Sequence, residues 1–284
     1  MKNSTRTIYG SYLQAVQSRQ APFSVIPNST LNEKLLILDD YELTDDQIPR
    51  INYIGIGIGG HYSLPGQEGI PVTRYNLFNP RFASLYKQMP FVLRAVGDDI
   101  PVASRSKYRL RKLVEINGEM FIAYYLKIIS DVATTPTINY MSKQDGDYQT
   151  LPFQPSADNL NPTPPTISNY ETNYTDSNYY VVSDVVEFVM TKDDINEYIN
   201  VARIMFGSEE YAIISEIGVF SGVDVVRAPL PNTDNVEYKE VVACQLNAYL
   251  AAKEDISYAT TDLSMAIDLG DIDPLIDIST ATTV

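Results

Sequence analysis

The chain has 284 residues with a formal net charge of −15, and such an acidic surface repels phosphate backbones, which argues against nucleic-acid binding. Its 44% hydrophobic and 20% charged content is that of a globular chain rather than a disordered one. No apolar run reaches the ~18 residues of a membrane-spanning helix, MKNSTRTIYGSYLQ has no signal-peptide apolar stretch, and the lone Cys244 allows no internal disulfide, which fits a reducing compartment. The 21 tyrosines, against nine phenylalanines and no tryptophan, suit strands and protein interfaces.

Residues 1–30 are polar, carry Pro22 and Pro27, and read as an extended arm with a short helix or strand over Thr7–Val16. In Leu31–Leu43 the spacing of Leu31, Leu35, Leu36 and Leu38 suits a short helix, LLIL suits a strand, and the polar Asn32–Lys34 favours the helix. Arg50–Gly60 (RINYIGIGIGG) is the first strong strand. Ile54, Ile56 and Ile58 face one way; Tyr53, Gly55 and Gly57 face the other, so something packs closely on the glycine side. The glycines do not have G-x-G-x-x-G spacing, and Pro65, Gly66, Gly69 and Pro71 prevent a following helix, so the dinucleotide fingerprint fails. Residues 61–107 form a long excursion punctuated by Pro65, Pro71, Pro80, Pro90 and Pro101, with one short strand each at Phe82–Tyr86 and Phe91–Val96.

Arg105, Lys107, Arg109 and Arg111 then recur at every second position, and on a strand they share one face. That face is either solvated or a basic stripe that docks an acidic partner, including another copy of this chain. The run continues through LVEI, turns at Asn117–Gly118 and returns as EMFIAYYLKIIS, which predicts a β-hairpin. Residues 134–180 are polar and proline-rich and read as a surface loop or arm largely without regular structure. The segment ends in Tyr170, Tyr174, Tyr179 and Tyr180, which join the Arg105–Arg111 set as candidate interface residues.

Tyr180–Met190 reads as a strand. Thr191 then caps a helix over about Lys192–Met205, with Ile195, Ile199, Ala202 and Phe206 as its buried stripe and Gly207 as its stop. Tyr211–Gly222 (YAIISEIGVFSG) is the second strong strand and the expected partner of Arg50–Gly60; Gly222 turns the chain into Val223–Val226. Glu237–Leu250 alternates through Val242, Cys244, Leu246 and Ala248 as a strand. Lys253–Val284 reads as an acidic extended arm, and its Asp268–Asp273 run lacks the ligand spacing and closing Glu of an EF-hand.

These elements predict a mainly β (α+β) fold: an antiparallel β-sandwich-like core with one main helix and long extended loops and arms. Residues 1–252 form a single β-rich domain with insertions at 61–107 and 134–180, and 253–284 form the arm. No catalytic set emerges. His61 lies in a Gly/Pro-rich loop, Cys244 lies mid-strand, and G-x-S-x-G, a P-loop, H-E-x-x-H and C-x-x-C are all missing. A non-enzymatic protein without cofactor or metal, and without a nucleic-acid or membrane partner, is expected.

YAIISEIGVFSG resembles the EIGLF strand of small β-domains in tail-fibre, baseplate and neck proteins of tailed bacteriophages. The matching segments are Ile54–Gly60, Ile214–Gly222 and Tyr238–Leu250, about a third of the chain. The resemblance implies a compact structural component of the virion, a baseplate or head–tail neck subunit assembled in the bacterial cytoplasm. It would bind copies of itself and other virion proteins. Gly218, Phe220 and Glu216 then have structural roles, Phe220 in the core and Glu216 on the other strand face. The alternative is a carbohydrate- or receptor-binding module whose tyrosine-rich loops face the ligand, although it has no tryptophan platform.

Overall fold

A computed structural model describes residues 4–37, 41–65, 72–129, 135–144, 147–160, 178–229, 236–255 and 261–274. In chain order its elements are β1 (Ser4–Arg6), α1 (Ile8–Arg19), α2 (Leu31–Leu35), β2 (Arg50–Gly57), β3 (His61–Leu64), β4 (Val72–Tyr75), β5 (Gln88–Met89), β6 (Val92–Ala95) and α3 (Val102–Arg105). Then follow β7 (Tyr108–Ile116), β8 (Glu119–Ile128), β9 (Thr137–Gln144), β10 (Asp147–Pro152), β11 (Asn178–Ser183), β12 (Val185–Met190), α4 (Lys192–Phe206), β13 (Ile213–Arg227), β14 (Tyr238–Asp255), β15 (Leu263–Asp268) and β16 (Asp271–Pro274). The fold is mainly β with antiparallel ladders, as the alternation predicts. Two compact units form: residues 1–129 with 189–264, and residues 130–188 with 265–284.

The first unit is built on a sheet of order β1-β14-β13-β2-β8-β6, with β5 on β2 and β7 on β8. β13 lies between β14 and β2, so the two glycine-punctuated strands are neighbours, Gly218 opposite Gly55 and Ile217 opposite Ile56. Phe220, Leu246, Leu126, Leu110, Leu85 and Tyr249 make the centre of the core. The β7–β8 hairpin turns at Asn117 (φ 54°) and Gly118 (φ 83°), the pair of positive φ values that a two-residue turn matching strand twist demands.

Gly222 does not turn the chain: β13 runs through it to Arg227, and Val223–Val226 are its continuation on β14. The irregularity lies in β14, where Ala243 takes φ 51° and the register slips between Ser221 and Val223. The two backbone groups flanking this bulge are satisfied by Asn32 on α2, whose amide donates to Val241 O (2.8 Å) and whose carbonyl accepts from Cys244 N (2.9 Å). A Thr30–Glu33 capping box starts α2.

The short helix expected within Thr7–Val16 forms as α1, and Phe23 beyond it packs into a buried cluster instead of extending as an arm. Thr7 caps α1, donates to Leu246 O and pairs its own N–H with Asn247 O (2.9 Å), and Leu13, Val16 and Phe23 pack on Ala243. Phe82–Tyr86 is not a strand either. Phe78, Phe82 and Tyr86 form an aromatic cluster, with Phe78 stacked on Tyr249 at 3.9 Å. α4 follows its sequence signals, with a Thr191–Asp194 capping box and Gly207 at φ 76°. Its buried positions are Asp194, Ile195, Tyr198, Val201 and Ala202, while Ile199 and Phe206 are half-buried.

In the second unit β10, β9, β11 and β16 form a four-stranded antiparallel sheet. Within the 134–180 segment, expected to be a loop largely without regular structure, 137–144, 147–152 and 178–180 are strands, and 161–177 lie outside the described residues. Of the acidic 253–284 stretch, Leu263–Asp268 and Asp271–Pro274 are strands and β14 runs on to Asp255.

The strand glycines give a direct test. A Cβ at Gly57 would overlap both Glu216 Oε1 and the Lys87 carbonyl oxygen, and backbone cannot move aside cheaply. Gly57→Ala should cost about 2–3 kcal/mol of stability. A chemical-denaturation midpoint matching the parent chain would contradict this close packing.

Candidate functional site

Two places bear on function: the region of the four cations, and the sheet that carries Tyr179 and Tyr180. Tyr170 and Tyr174 lie outside the described residues.

The cations do not form a stripe. Arg105 ends α3 and Lys107 lies in the turn after it. Register shifts between Tyr108, Leu110 and Arg111 then break the alternation that would have aligned the rest. Arg105 is buried, pairs with Asp99 (3.1 Å) and donates to Ile100 O (2.9 Å); Tyr124 OH donates to the same Asp99 (2.8 Å). Arg109 bonds Asp224 Oδ2 (2.7 Å), whose other oxygen accepts from Tyr53 OH (2.7 Å). Arg111 is buried with its guanidinium 4.4 Å from the Tyr238 ring centre. Only Lys107 of the four is exposed. The sequence shows the charges but not the acids that meet them, which come from positions 99 and 224.

Beside Arg111 lies Glu240, a buried carboxylate that no sequence signal singles out. Burial pushes its pKa up to about 7, against an opposing pull from the Arg111 N–H and the charges of Arg227 and Arg111. A second such group is Glu216, fully buried. It is not on the other strand face from Phe220: unbroken register from Glu216 opposite Gly57 to Phe220 opposite Tyr53 puts both on the glycine side of the sheet, where Glu216 is enclosed. Its Oε1 accepts from Gly59 N (2.9 Å) and Lys87 N (2.7 Å), and its Oε2 from Tyr86 N (3.0 Å). A third, Asp194, accepts from Lys127 Nζ and from Tyr108 OH (3.1 Å); burial opposes its charge, yet Lys127 and the Thr191 cap hold its pKa below the ordinary value. Each is engaged by structural partners.

His61 lies on β3 with its ring 4.6 Å from that of Tyr75, and Cys244 is fully buried with its thiol pKa pushed well up by burial. Among the described residues, no three His, Cys, Asp or Glu side chains stand together in a way that would hold a metal ion.

The sheet of the second unit is different in kind. Register places Phe153, Ile138 and Val182 in one row, and Leu151, Tyr140 and Tyr180 in the next, on one face. Tyr140 and Tyr180 are 5.4 Å apart and Phe153 meets Tyr180 edge-on at 5.5 Å. Tyr179 lies on the opposite face with Tyr148, 5.2 Å away. None of the described side chains of β9, β10 or β11 is buried, and Ile138 and Leu151 are 49% and 42% exposed. A concavity of about 440 Å³ opens between Tyr140, Leu151, Pro152, Phe153, Gln154 and Tyr180. This apolar, aromatic and uncovered face is the candidate site.

Glu240 supplies a pH test. Its folded pKa of about 7 exceeds the ordinary 4.5, so between these values the folded chain holds a proton that the unfolded chain has released. Stability should fall as pH rises through that window, by up to roughly 3 kcal/mol. Glu240→Gln should lose this slope, gaining on the parent chain from pH 5 to pH 8; parallel denaturation profiles would contradict it.

No curated protein and no solved structure matches the chain. The whole of it, residues 1–284, matches the family of unknown function DUF7208, and the chain belongs to that family.

Proposed function

We propose that the protein is a non-enzymatic structural component of a tailed-phage virion, at the tail baseplate or the head–tail neck, working through oligomerisation and docking to neighbouring virion proteins. The observation that carries this reading is the uncovered face of β10-β9-β11-β16. Six apolar residues in two adjacent rows, with no buried described side chain in β9, β10 or β11, leave this sheet without the apolar burial that stabilises one. Contiguous apolar surface of this kind marks an interaction site, and a neighbouring subunit supplies the missing layer. The resemblance of Ile54–Gly60, Ile214–Gly222 and Tyr238–Leu250 to virion β-domains supports the location; these segments fall on or beside the adjacent strands β2, β13 and β14. The buried acids are all committed to holding the fold, which supports a structural task.

A second reading, a carbohydrate- or receptor-binding module of a phage tail, is favoured by the concavity itself, where three aromatic rings and the Gln154 side chain surround a space of ligand size. The two readings separate experimentally. Mass spectrometry of intact tailed particles from cells that make this chain should find it in fixed copy number, and the purified protein should show no saturable glycan binding. Absence from intact particles would overturn the assembly reading. Saturable glycan binding abolished by Tyr180→Ala would favour the second.

A further inference from the structure

We infer that the aromatic recess of β10-β9-β11-β16 receives an arginine side chain from a neighbouring virion protein. This rests on the assembly reading and names the chemistry of the partner group that the face takes.

The recess has aromatic walls. Tyr140 lies 5.4 Å from Tyr180 between ring centres, tilted by 48°, and Phe153 meets Tyr180 at 5.5 Å and 89°. The three rings line the concavity of about 440 Å³ with Gln154 at its rim. A ring face carries the negative part of the aromatic quadrupole and attracts a cation within about 6 Å. Three rings around one space bring several such attractions to bear on a single occupant.

The rows that hold these rings end in acids. Register continues both onto β16, where Asp273 stands opposite Tyr180 and Asp271 opposite Val182. Asp147, at the start of β10, belongs to the same face. Neighbouring strands lie about 4.8 Å apart, so the position of Asp273 directly adjoins that of Tyr180. Among the described residues of these four strands the one cation is Lys143, and it lies on the opposite face, over the Tyr148 ring. The recess therefore opens on a face with acidic positions and no basic one, in a chain of net charge −15. Such a face repels another acidic surface and draws in a cation.

An arginine suits this recess better than other cations. Its guanidinium is planar, always charged and weakly hydrated; it stacks on a ring face and keeps its N–H groups for carboxylates in its own plane. The compact, strongly hydrated ammonium of a lysine loses more on entering an apolar space. Ile138 and Val182, in the next row, do not line the concavity. They give apolar surface for the backbone and neighbours of the arginine to lie on, which favours a protein segment over a free small cation.

Titration of the full chain with N-acetylarginine amide, followed by amide NMR shifts, tests this, with N-acetylcitrulline amide as the uncharged match. The arginine compound should shift amides of β9, β10 and β11 with a dissociation constant of millimolar order. The citrulline compound should bind at least about tenfold more weakly. Tyr180→Leu, which removes a ring, should weaken arginine binding about fivefold, while Tyr180→Phe, which keeps it, should not. Asp271→Asn should weaken it about twofold, and all three variants should keep the parent circular dichroism spectrum. No binding, equal binding of the two compounds, or equal effects of the two Tyr180 substitutions would each overturn the arginine contact; the comparison of compounds needs no variant. Tighter binding of tetramethylammonium than of the arginine compound would overturn it too, and assign the recess to a free quaternary amine. If the chain is present in particles but takes no arginine, the arginine contact falls and the proposed function stands. If arginine binds as expected but the chain is absent from particles, the recess remains an arginine site and the proposed function falls.

Discussion

The first unit depends on one enclosed carboxylate. Glu216 on β13 reaches past β2 and accepts three backbone N–H groups, one from Gly59 just beyond β2 and two from Tyr86 and Lys87 before β5. These donors have no place in the sheet ladder, so a single side chain completes the hydrogen bonding of two segments far apart in sequence. Burial alone pushes the Glu216 pKa up; the three N–H groups and Lys34, whose ammonium bonds Ser84 Oγ and Leu85 O close by, oppose that. Charge-assisted bonds of this type are stronger than neutral ones, and losing one partner leaves a buried charge exposed to its full desolvation cost. Gly57 and Gly59 are required because the carboxylate and the Lys87 backbone occupy the space that side chains would fill.

The same logic of distant polar groups closing backbone gaps recurs around the core. Asn32 bridges the β14 bulge, and Thr7 ties α1 to the Leu246 and Asn247 carbonyls. Lys127 joins the Asp194 cap of α4 to Val189 O. Strands of 15 and 18 residues, β13 and β14, are kept in register by these ties. A rigid frame of this kind commits its ionisable groups to structure.

Local signals are legible in the sequence and long-range ones are not. Asn117–Gly118, Thr191 and Gly207 act through their immediate neighbours, so the hairpin and α4 can be read within a residue or two. The alternation of Ile54, Ile56 and Ile58 marks β2, and its glycines announce a close neighbour without naming Glu216. The Arg105–Arg111 spacing misleads because strand alternation holds only where a strand is regular; α3 and two register shifts intervene, and the partner acids lie at positions 99 and 224. The β9–β10 pair has a signal that composition hides. Asp145–Gly146 stands between two alternating runs just as Asn117–Gly118 does, and Gln144 pairs directly with Asp147. No described side chain on either face of β9, β10 or β11 is buried, and composition marks Tyr180 as a candidate while leaving Ile138 unmarked.

The second unit then stands out by contrast: a well-paired sheet with no buried described side chain in β9, β10 or β11, where the first unit has a buried core. In an assembly component the missing layer comes from a neighbour. Hydrogen–deuterium exchange, compared between the isolated protein and the protein within intact particles, tests this most directly. Amides in β9, β10 and β11 should gain protection on assembly, with β2, β13 and β14 slow to exchange in both states. Equal exchange of β9–β11 in the free and assembled states would contradict a covering neighbour.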